Sequence, residues 1–519
     1  MRSTVRLRIL ITCGVLVAAG VGGWQLLPSD EVRTDPIAVG TTDEVTSLDP
    51  AGAYDAGSWA MYSNVFQSLL TFKAGFTTPV PDAAESCRFV GTKLTTYECT
   101  LRDDLTFANG RKITGEDVRY SFERMLAIKT DVGPQPLFPT LKQVVAEGQK
   151  VTFQLSGRDA TFPLKLATGA GSIVDHTTYP AKALRQGNAV DGSGPYVLTA
   201  YEPGVSATLE PNPRYKGAIT KPGKPIVVKY YKESEELADA WKKKDVDVTH
   251  RQMPPAFLNA LNEETRSGTK ITEAASAEIR NLNFNVRAGT PMAKKAVRQA
   301  VAAVIDRPAI TTGPYQSTVE PLYSLIPQGF VGHSTAFYDV YPEPDVAKAK
   351  KLLKAANIDT PVRFTLGHRK DATYAAEAAE LKKQLEATGL FKVDVKSVIW
   401  TEFQKEYAQG KFDAYTVGWL PDFPDSDSFT APLVGTDNTL HNDFSSATID
   451  SLIASTQQYS DRARATGDFK EIQAEVAKDV PLVPLWQKKD YVLSNEEVAG
   501  SQYLSDGTGV WRLWELSWI

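Results

Sequence analysis

The chain has 519 residues, 42% of them hydrophobic and 23% charged, with a formal net charge of −5. This is ordinary globular composition, long enough for roughly two to four structural units. The slight acidic balance excludes the basic excess expected of a nucleic-acid binder, and no internal repeat or low-complexity tract stands out.

The N-terminus differs from the remainder. Arg2, Arg6 and Arg8 precede an apolar or small-residue run from Ile9 to Val21, extended by Trp24, Leu26 and Leu27. A basic flank before an apolar run is an export signal. As a helix, residues 9–27 would measure about 28 Å at roughly 1.5 Å per residue, nearly a bilayer's width. Small residues (Ala18, Ala19, Gly20) occur here, but no A-x-A site precedes a polar stretch, so cleavage and retention as an anchor are both open. In either case the basic flank places the remainder outside the cytoplasm, in the periplasmic space or on the outer face of the cytoplasmic membrane. Cys13 is not placed as a lipobox cysteine would be, because Thr12 precedes it and the apolar run continues past it.

A polar linker, Asp30 to Pro36, leads to a predicted strand at Ile37-Ala38-Val39 and a loop at Thr46 to Pro50. Apolar residues at Trp59, Tyr62, Phe66 and Leu69-Leu70 predict a helix from Trp59 to Leu70. From Pro79 to Asn109 the pattern is strand-rich and ends in the turn Asn109-Gly110. Thr114 and Asp117 resemble a capping box for a helix with Val118, Phe122, Met125 and Leu126 on one face. Gln149 to Leu155 alternates as a strand. Phe162 to Leu166 is a short apolar piece, and Gly169 to Gly171 a turn. Further strands are predicted at Val197 to Tyr201, Ala207 to Glu210, Pro225 to Tyr231 and Val246 to Val248. Ser234 is read as the N-cap of a helix over Glu235 to Lys244.

In the second half, Asn281 to Asn285 alternates as a strand, and Pro291 opens a helix expected to reach Asp306. Asp345 caps a helix through Ala356. Val362 to Leu366, Val393 to Ile399 and Leu482 to Trp486 read as strands. Tyr374 to Leu385 and Asp468 to Lys478 read as helices. The aromatic-rich end, Val510 to Ile519, reads as strand. This alternation predicts α/β lobes with mixed sheets, and lobes of that kind often hold a ligand between them.

Cys87 and Cys99 stand at opposite ends of a predicted hairpin, which in an exported protein reads as a disulfide; a reduced pair is the alternative. No His or further Cys completes a metal site with them. The five histidines (His176, His250, His333, His368, His441) show no metal-ligand spacing. There is no H-E-x-x-H, G-x-S-x-G, phosphate-binding glycine loop or G-x-G-x-x-G, so neither a cofactor nor a metal is expected. A hydrolytic triad built from distant residues is the arrangement such motifs would not reveal.

An ordered set of motif segments runs along the chain. It begins with Leu48-Asp49-Pro50. It continues with Leu101-Arg102-x-x-Leu105-x-Phe107-x-Asn109-Gly110 and Thr114-x-Glu116-Asp117-Val118-x-Tyr120-Ser121. Gly194-Pro195-Tyr196 and Asn212-Pro213-Arg214-Tyr215 follow, then Val297-Arg298-Gln299-Ala300 with Ile305-Asp306-Arg307, and Ile326-Pro327-x-Gly329. Trp419-x-x-Asp422-Phe423 completes the set. Taken in this order, the segments resemble the family 5 (peptide/nickel-binding) solute-binding proteins of ABC importers, a resemblance that covers roughly residues 36–519.

The resemblance implies an α/β, periplasmic-binding-protein-like fold (type II, cluster C) with two ligand-closing lobes and an inserted third. Lobe I is expected over 36–72, 195–282 and 487–519, lobe II over 73–194 and lobe III over 283–486. It further implies a monomeric, non-enzymatic receptor that hands a di- or oligopeptide to permease subunits with their ATPase. Nickel chelates, haem and oligosaccharides are the family's other solutes, and a sensor without transport is a further variant. Asp422 is the expected partner of the ligand's ammonium group, with Trp419 beside it and Tyr54 and Ala56 on the opposite wall. Asp425 and Asp427 lie close enough in sequence to take its place. Pro421 and Pro424 depart from the family pattern. Trp59, Arg298, Asp306, Gly194 and Pro195 are expected to serve packing and turns.

Overall fold

A computed structural model of the chain describes residues 33–128, 130, 132–221, 223–263, 268–505 and 507–519. The export-signal segment at residues 1–32 lies outside the described residues. No helix among those described is long and apolar enough to cross a membrane.

Eleven strands build the main sheet: β1 (Ile37–Thr41), β2 (Tyr196–Glu202), β3 (Ser206–Pro211), β4 (Ile226–Tyr230), β5 (Val248–His250), β6 (Thr269–Phe284), β7 (Val319–Pro321), β8 (Val362–Arg369), β9 (Phe391–Val398), β10 (Ala414–Trp419) and β11 (Leu482–Asn495). Their order is β9-β8-β10-β6-β11-β5-β1-β4-β3-β2, with β7 paired to β11. β1 runs parallel to β4 and β5, and β8 parallel to β9 and β10; the other pairs are antiparallel.

β6 and β11 are the long central pair, and their ladder is broken twice, by a small shift between Arg280 and Asn281 and by a larger one before Ile279. Ala275 pairs with Lys489 and Ile279 with Gln487, so Ser276, Ala277 and Glu278 lie opposite Lys488 alone. Such a bulge bends a strand and redirects its side chains. It also falls where the apolar cores divide. One core is drawn from residues 277–486. Another is drawn from residues 37–248 together with Phe423 and the returning segment 492–516.

A second, antiparallel sheet has the order Ala84–Phe89, Thr96–Leu101, Lys150–Leu155, Leu141–Glu147. The helix Gly115–Ala127 starts at the expected capping box, with Thr114 N–H donating to Asp117 Oδ2 at 2.9 Å. Its Phe122 packs edge-on against Phe153 (5.1 Å) and Phe138 (5.4 Å). Cys87 and Cys99 are register partners across the hairpin and are bonded, with Cα atoms 4.1 Å apart.

Several of the ordered motifs have structural explanations. Asp49 of the Leu-Asp-Pro loop is buried and accepts from Arg124 Nη1 at 2.7 Å and from the Arg185 backbone N–H at 2.7 Å. It thereby ties the β1 side of the molecule to the second sheet's helix. At Gly194 a Cβ would lie 2.5 Å from the Asn64 carbonyl oxygen, so only glycine allows this approach. Arg298 donates to the carbonyls of Met292 (2.8 Å) and Asp479 (2.8 Å). Asp306 caps a helix.

Other expectations are corrected. The first helix is Ala56–Val65 rather than Trp59 to Leu70, because Asp55 caps it through Ser58 N–H and the chain from Phe66 is extended. Glu233, not Ser234, holds the N-cap position of the helix Ser234–Lys242, and its side chain makes no cap bond. The strand expected at Val246 to Val248 forms at Val248–His250. The helix expected from Pro291 to Asp306 is two pieces, a 3-10 turn Pro291–Ala293 and a helix Lys295–Ala302, and Asp306 then caps a new helix Arg307–Thr312 with Pro308 in its first turn. The C-terminal aromatics are buried mostly without strand pairing, since only Ser517–Trp518 pairs, with Val498–Ala499. Aromatic density there reported burial rather than extended backbone.

Candidate functional site

A cleft crosses the molecule at the β6–β11 bulge, with about 180 Å³ reachable by the centre of a water molecule. Its walls come from the C-terminal ends of β1, β5, β8 and β10, the start of the helix Ala56–Val65, and the bulge. The expected residues Tyr54, Ala56, Trp419 and Asp422 all line it, as does Trp59.

Tyr54 and Asp422 meet across the cleft. Tyr54 Oη donates to Asp422 Oδ2 at 2.6 Å. The Tyr54 ring stacks on Trp59 at 5.0 Å and meets Trp419 edge-on at 6.0 Å. Trp59 is 4% exposed and serves as the floor beneath Tyr54, in keeping with its expected place in the core. Ser428, in the helix Asp427–Val434, orients the opposite wall. Its carbonyl accepts Trp419 Nε1–H at 2.7 Å, and its hydroxyl oxygen accepts Asp422 N–H at 2.7 Å.

The Asp422 carboxyl is 5% exposed. Its side-chain partners are the hydroxyls of Tyr54 and Ser428, and no cation among the described residues forms an ion pair with it. Burial disfavours the charged form and raises its pKa from 3.8 to about 7. The two hydroxyls and the more distant Lys165 pull the other way. A carboxylate held this way, buried and without a counter-ion, favours any ligand cation that reaches it.

Of the three neighbouring acids, only Asp422 lines this cleft. Asp425 is bound bidentately by Arg462, at 2.7 and 2.9 Å. Asp427 points among Thr161, Thr456 and Gln457, at 3.3 to 3.4 Å. It lines an adjoining crevice that shares Tyr54, Gly133 and His441 with the cleft.

At the bulge the cleft is charged, a feature the sequence reading missed. Arg251 Nε donates to Asp43 Oδ2 at 2.6 Å, Lys488 pairs with Glu278 at 3.2 Å, and His250 Nε2 lies 3.3 Å from Asp490. Burial alone would raise the Asp43 carboxyl, but Arg251 outweighs it and holds the group below its ordinary value. Arg280 pairs with the fully buried Glu377 at 3.1 Å and lies 4.1 Å from the Tyr374 ring centre. Tyr315 and Trp486 also donate to Glu377, each at 2.8 Å. Arg251 holds a left-handed φ of 87°, a conformation that concentrates at ligand clamps. Gly418 lies against the same cluster, since a Cβ there would come within 2.9 Å of Glu278 Oε1.

One group of potential metal ligands occurs among the described residues, Asp117, Asp175 and His176. Arg111 forms ion pairs with both aspartates, at 2.8 Å to Asp175. A guanidinium thus neutralises the cluster, which does not line the cleft.

Residues 78–440, well over half of the chain, match the family model described as bacterial extracellular solute-binding proteins, family 5 Middle. The probable D,D-dipeptide-binding periplasmic protein DdpA of Escherichia coli K12 is 26% identical, covering 90% of this chain and 92% of its own. Di/tripeptide-binding protein 1 of Pseudomonas aeruginosa is 26% identical, covering 82% and 84%. The Helicobacter pylori periplasmic binding protein DppA, solved in complex with the peptide STSA, superposes with a TM-score of 0.82 at 20% identity, covering 93% of this chain and 98% of that one. The fold is the expected type II periplasmic-binding-protein fold. The chain belongs to the bacterial extracellular solute-binding proteins, family 5.

Proposed function

We propose that this protein is the extracytoplasmic receptor of an ABC importer, and that it captures di- or oligopeptides in the cleft between two closing lobes. The observation that carries the reading is the buried Asp422 carboxyl, which meets only hydroxyl partners at the cleft wall. A peptide's α-ammonium group is the cation this position suits, with a charge-assisted bond in a partly dry site. Trp419, Tyr54 and Ala56 enclose the first residue. Curated relatives over most of the chain carry dipeptide, di/tripeptide or oligopeptide in their names, which favours a peptide over the family's other solutes.

The lobes are taken as 36–72, 195–282 and 487–519 (lobe I), 73–194 (lobe II) and 283–486 (lobe III). The separate core over 277–486 supports the boundary between lobes I and III, and the bulge at Ser276–Glu278 opposite Lys488 is the natural hinge there. The family consists of solute-binding proteins, which supports binding rather than catalysis as the role. The bound peptide passes to permease subunits energised by an ATPase; stimulation of that ATPase by the loaded receptor in reconstituted membranes is the corresponding assay. The basic, apolar N-terminus acts as the export signal, and N-terminal sequencing of the mature protein separates cleavage from retention. Cys87 and Cys99 are bridged outside the cell, which intact mass before and after reduction reads directly.

The test of the ligand class is mass spectrometry of solute that co-purifies with the exported domain, followed by thermal shifts with peptide, sugar and metal-chelate panels. A peptide at about 100 times its dissociation constant adds roughly 2.7 kcal/mol of stability. Shifts confined to sugars or chelates would sink the peptide reading.

A further inference from the structure

Three consecutive residues at the end of β8, Arg369-Lys370-Asp371, each reach across to lobe I. Arg369 Nη2 donates to the Thr42 carbonyl at 2.7 Å. Lys370 Nζ pairs with Glu233 at 2.9 Å. Asp371 makes the most unusual contact. Its Oδ1 caps its own helix, Ala372–Ala387, by accepting the N–H groups of Thr373 (2.8 Å) and Tyr374 (3.4 Å). Its Oδ2 accepts the N–H of Ser234 (3.2 Å) and lies 3.0 Å from the Ser234 hydroxyl, whose single proton is shared with Glu235 Oε2 at the same distance; Ser234 is 137 positions away and opens the helix Ser234–Lys242.

That second helix has no cap of its own, because the Glu233 side chain makes no cap bond. Orphan N–H groups at a helix start require an acceptor, and the partial positive charge there favours an anion. One buried carboxylate therefore serves the N-termini of two helices belonging to two lobes; Asp371 is 6% exposed and Ser234 fully buried. Parting the lobes would leave Asp371 capping its own helix while stripping from the other the side-chain acceptor that Asp371 gives its Ser234 N–H.

We propose that Asp371 is a positioning residue for ligand capture: with Lys370–Glu233 beside it, it forms a clasp that favours the closed lobes and slows ligand escape without touching the ligand. Arg369 and Thr42 both line the cleft, so this clasp lies at the cleft's own rim. Its effect on affinity rests on the peptide-receptor reading above, whereas its effect on lobe closure does not.

Asp371→Asn discriminates the roles. The amide oxygen can still cap one helix, but the amide nitrogen then presents donors to the N–H groups of the other. Losing an N-cap contact corresponds to roughly a fivefold change in an equilibrium. In solution scattering the ligand-free Asp371→Asn protein is expected to show a larger radius of gyration than wild type. In stopped-flow binding of the dipeptide Ala-Phe, the dissociation rate should rise about fivefold while the association rate does not fall, since a more open empty receptor admits ligand at least as readily. Ser234→Ala, which removes only the hydroxyl donor, should move both readouts in the same direction and less far. It decides the matter if Asp371→Asn does not fold. Lys370→Glu should likewise open the lobes, and Lys370→Glu with Glu233→Lys should restore them. Folded variants with wild-type radius and wild-type dissociation rate would overturn the clasp. If Ala-Phe and other peptides do not bind even wild type, the receptor reading fails, and the scattering comparison alone still decides whether Asp371 holds the lobes together.

Discussion

Tyr54 Oη donates to Asp422 Oδ2 at 2.6 Å across 368 residues of sequence, joining the two walls of the cleft at the position where a ligand cation would be held. The phenol stabilises the charged carboxylate, so under the proposed peptide reading it contributes to holding the ammonium group rather than serving as a passive wall.

Tyr54→Phe removes that donor and keeps the ring on Trp59. A hydrogen bond to a charged group contributes about 1.5–3 kcal/mol. Affinity for a free-amine peptide should therefore fall at least tenfold by isothermal titration, and the Asp422 carboxyl should titrate higher still. Unchanged affinity would place Tyr54 outside the site.

Binding should weaken in acid. The Asp422 carboxyl titrates at about 7, and an ammonium ligand favours only its ionised form. From pH 7 to pH 5.5 the ionised fraction drops, and the dissociation constant for a free-amine peptide should rise roughly tenfold. An N-acetylated peptide provides the control, and a flat profile for the free-amine form contradicts the assignment.

Stability should move in the opposite sense. In the folded protein Asp422 is raised from 3.8 to about 7, so between these values the folded state holds a proton that the unfolded chain has released. This contribution is full below about pH 4 and is lost as pH rises through 7. Asp422→Asn removes the penalty of the buried charge, so the ligand-free variant should gain on the order of 4 kcal/mol at pH 8 and little at pH 4. Denaturant titrations at both pH values measure it; equal effects at the two would contradict the buried, unpaired carboxylate.

The Asp49–Arg124 pair should matter for folding rather than binding. Both side chains are buried at 2% exposure. Arg124→Met leaves Asp49 with a buried charge and only backbone donors, at a cost of about 3–5 kcal/mol. A urea midpoint close to wild type would contradict this.

The sequence made the Tyr54–Asp422 part of the cleft readable and hid the charged part at the bulge. Trp419, Asp422 and Tyr54 were found because a short motif and a loop near the chain's start carry them, and the fold brings them together. The charged cluster at the bulge left no such trace. Gln487-Lys488-Lys489-Asp490 appeared to end an apolar strand at Trp486, yet β11 continues to Asn495 and buries Lys488 and Asp490 against Glu278 and His250. β6 was likewise read only from Asn281, although it starts at Thr269. In both strands the charged residues are satisfied by partners distant in sequence, so local patterning carried no sign of their burial. The bulge between them depends on the pairing of two segments about 200 residues apart.

The central claim is that Asp422 receives a peptide's ammonium group. Isothermal titration of Ala-Phe and N-acetyl-Ala-Phe against wild type and Asp422→Asn tests it most directly. A buried charge left without its partner costs about 3–5 kcal/mol, so wild type should prefer the free amine by at least 100-fold, and the variant should lose that preference. The same preference in both proteins, or none in either, would contradict it.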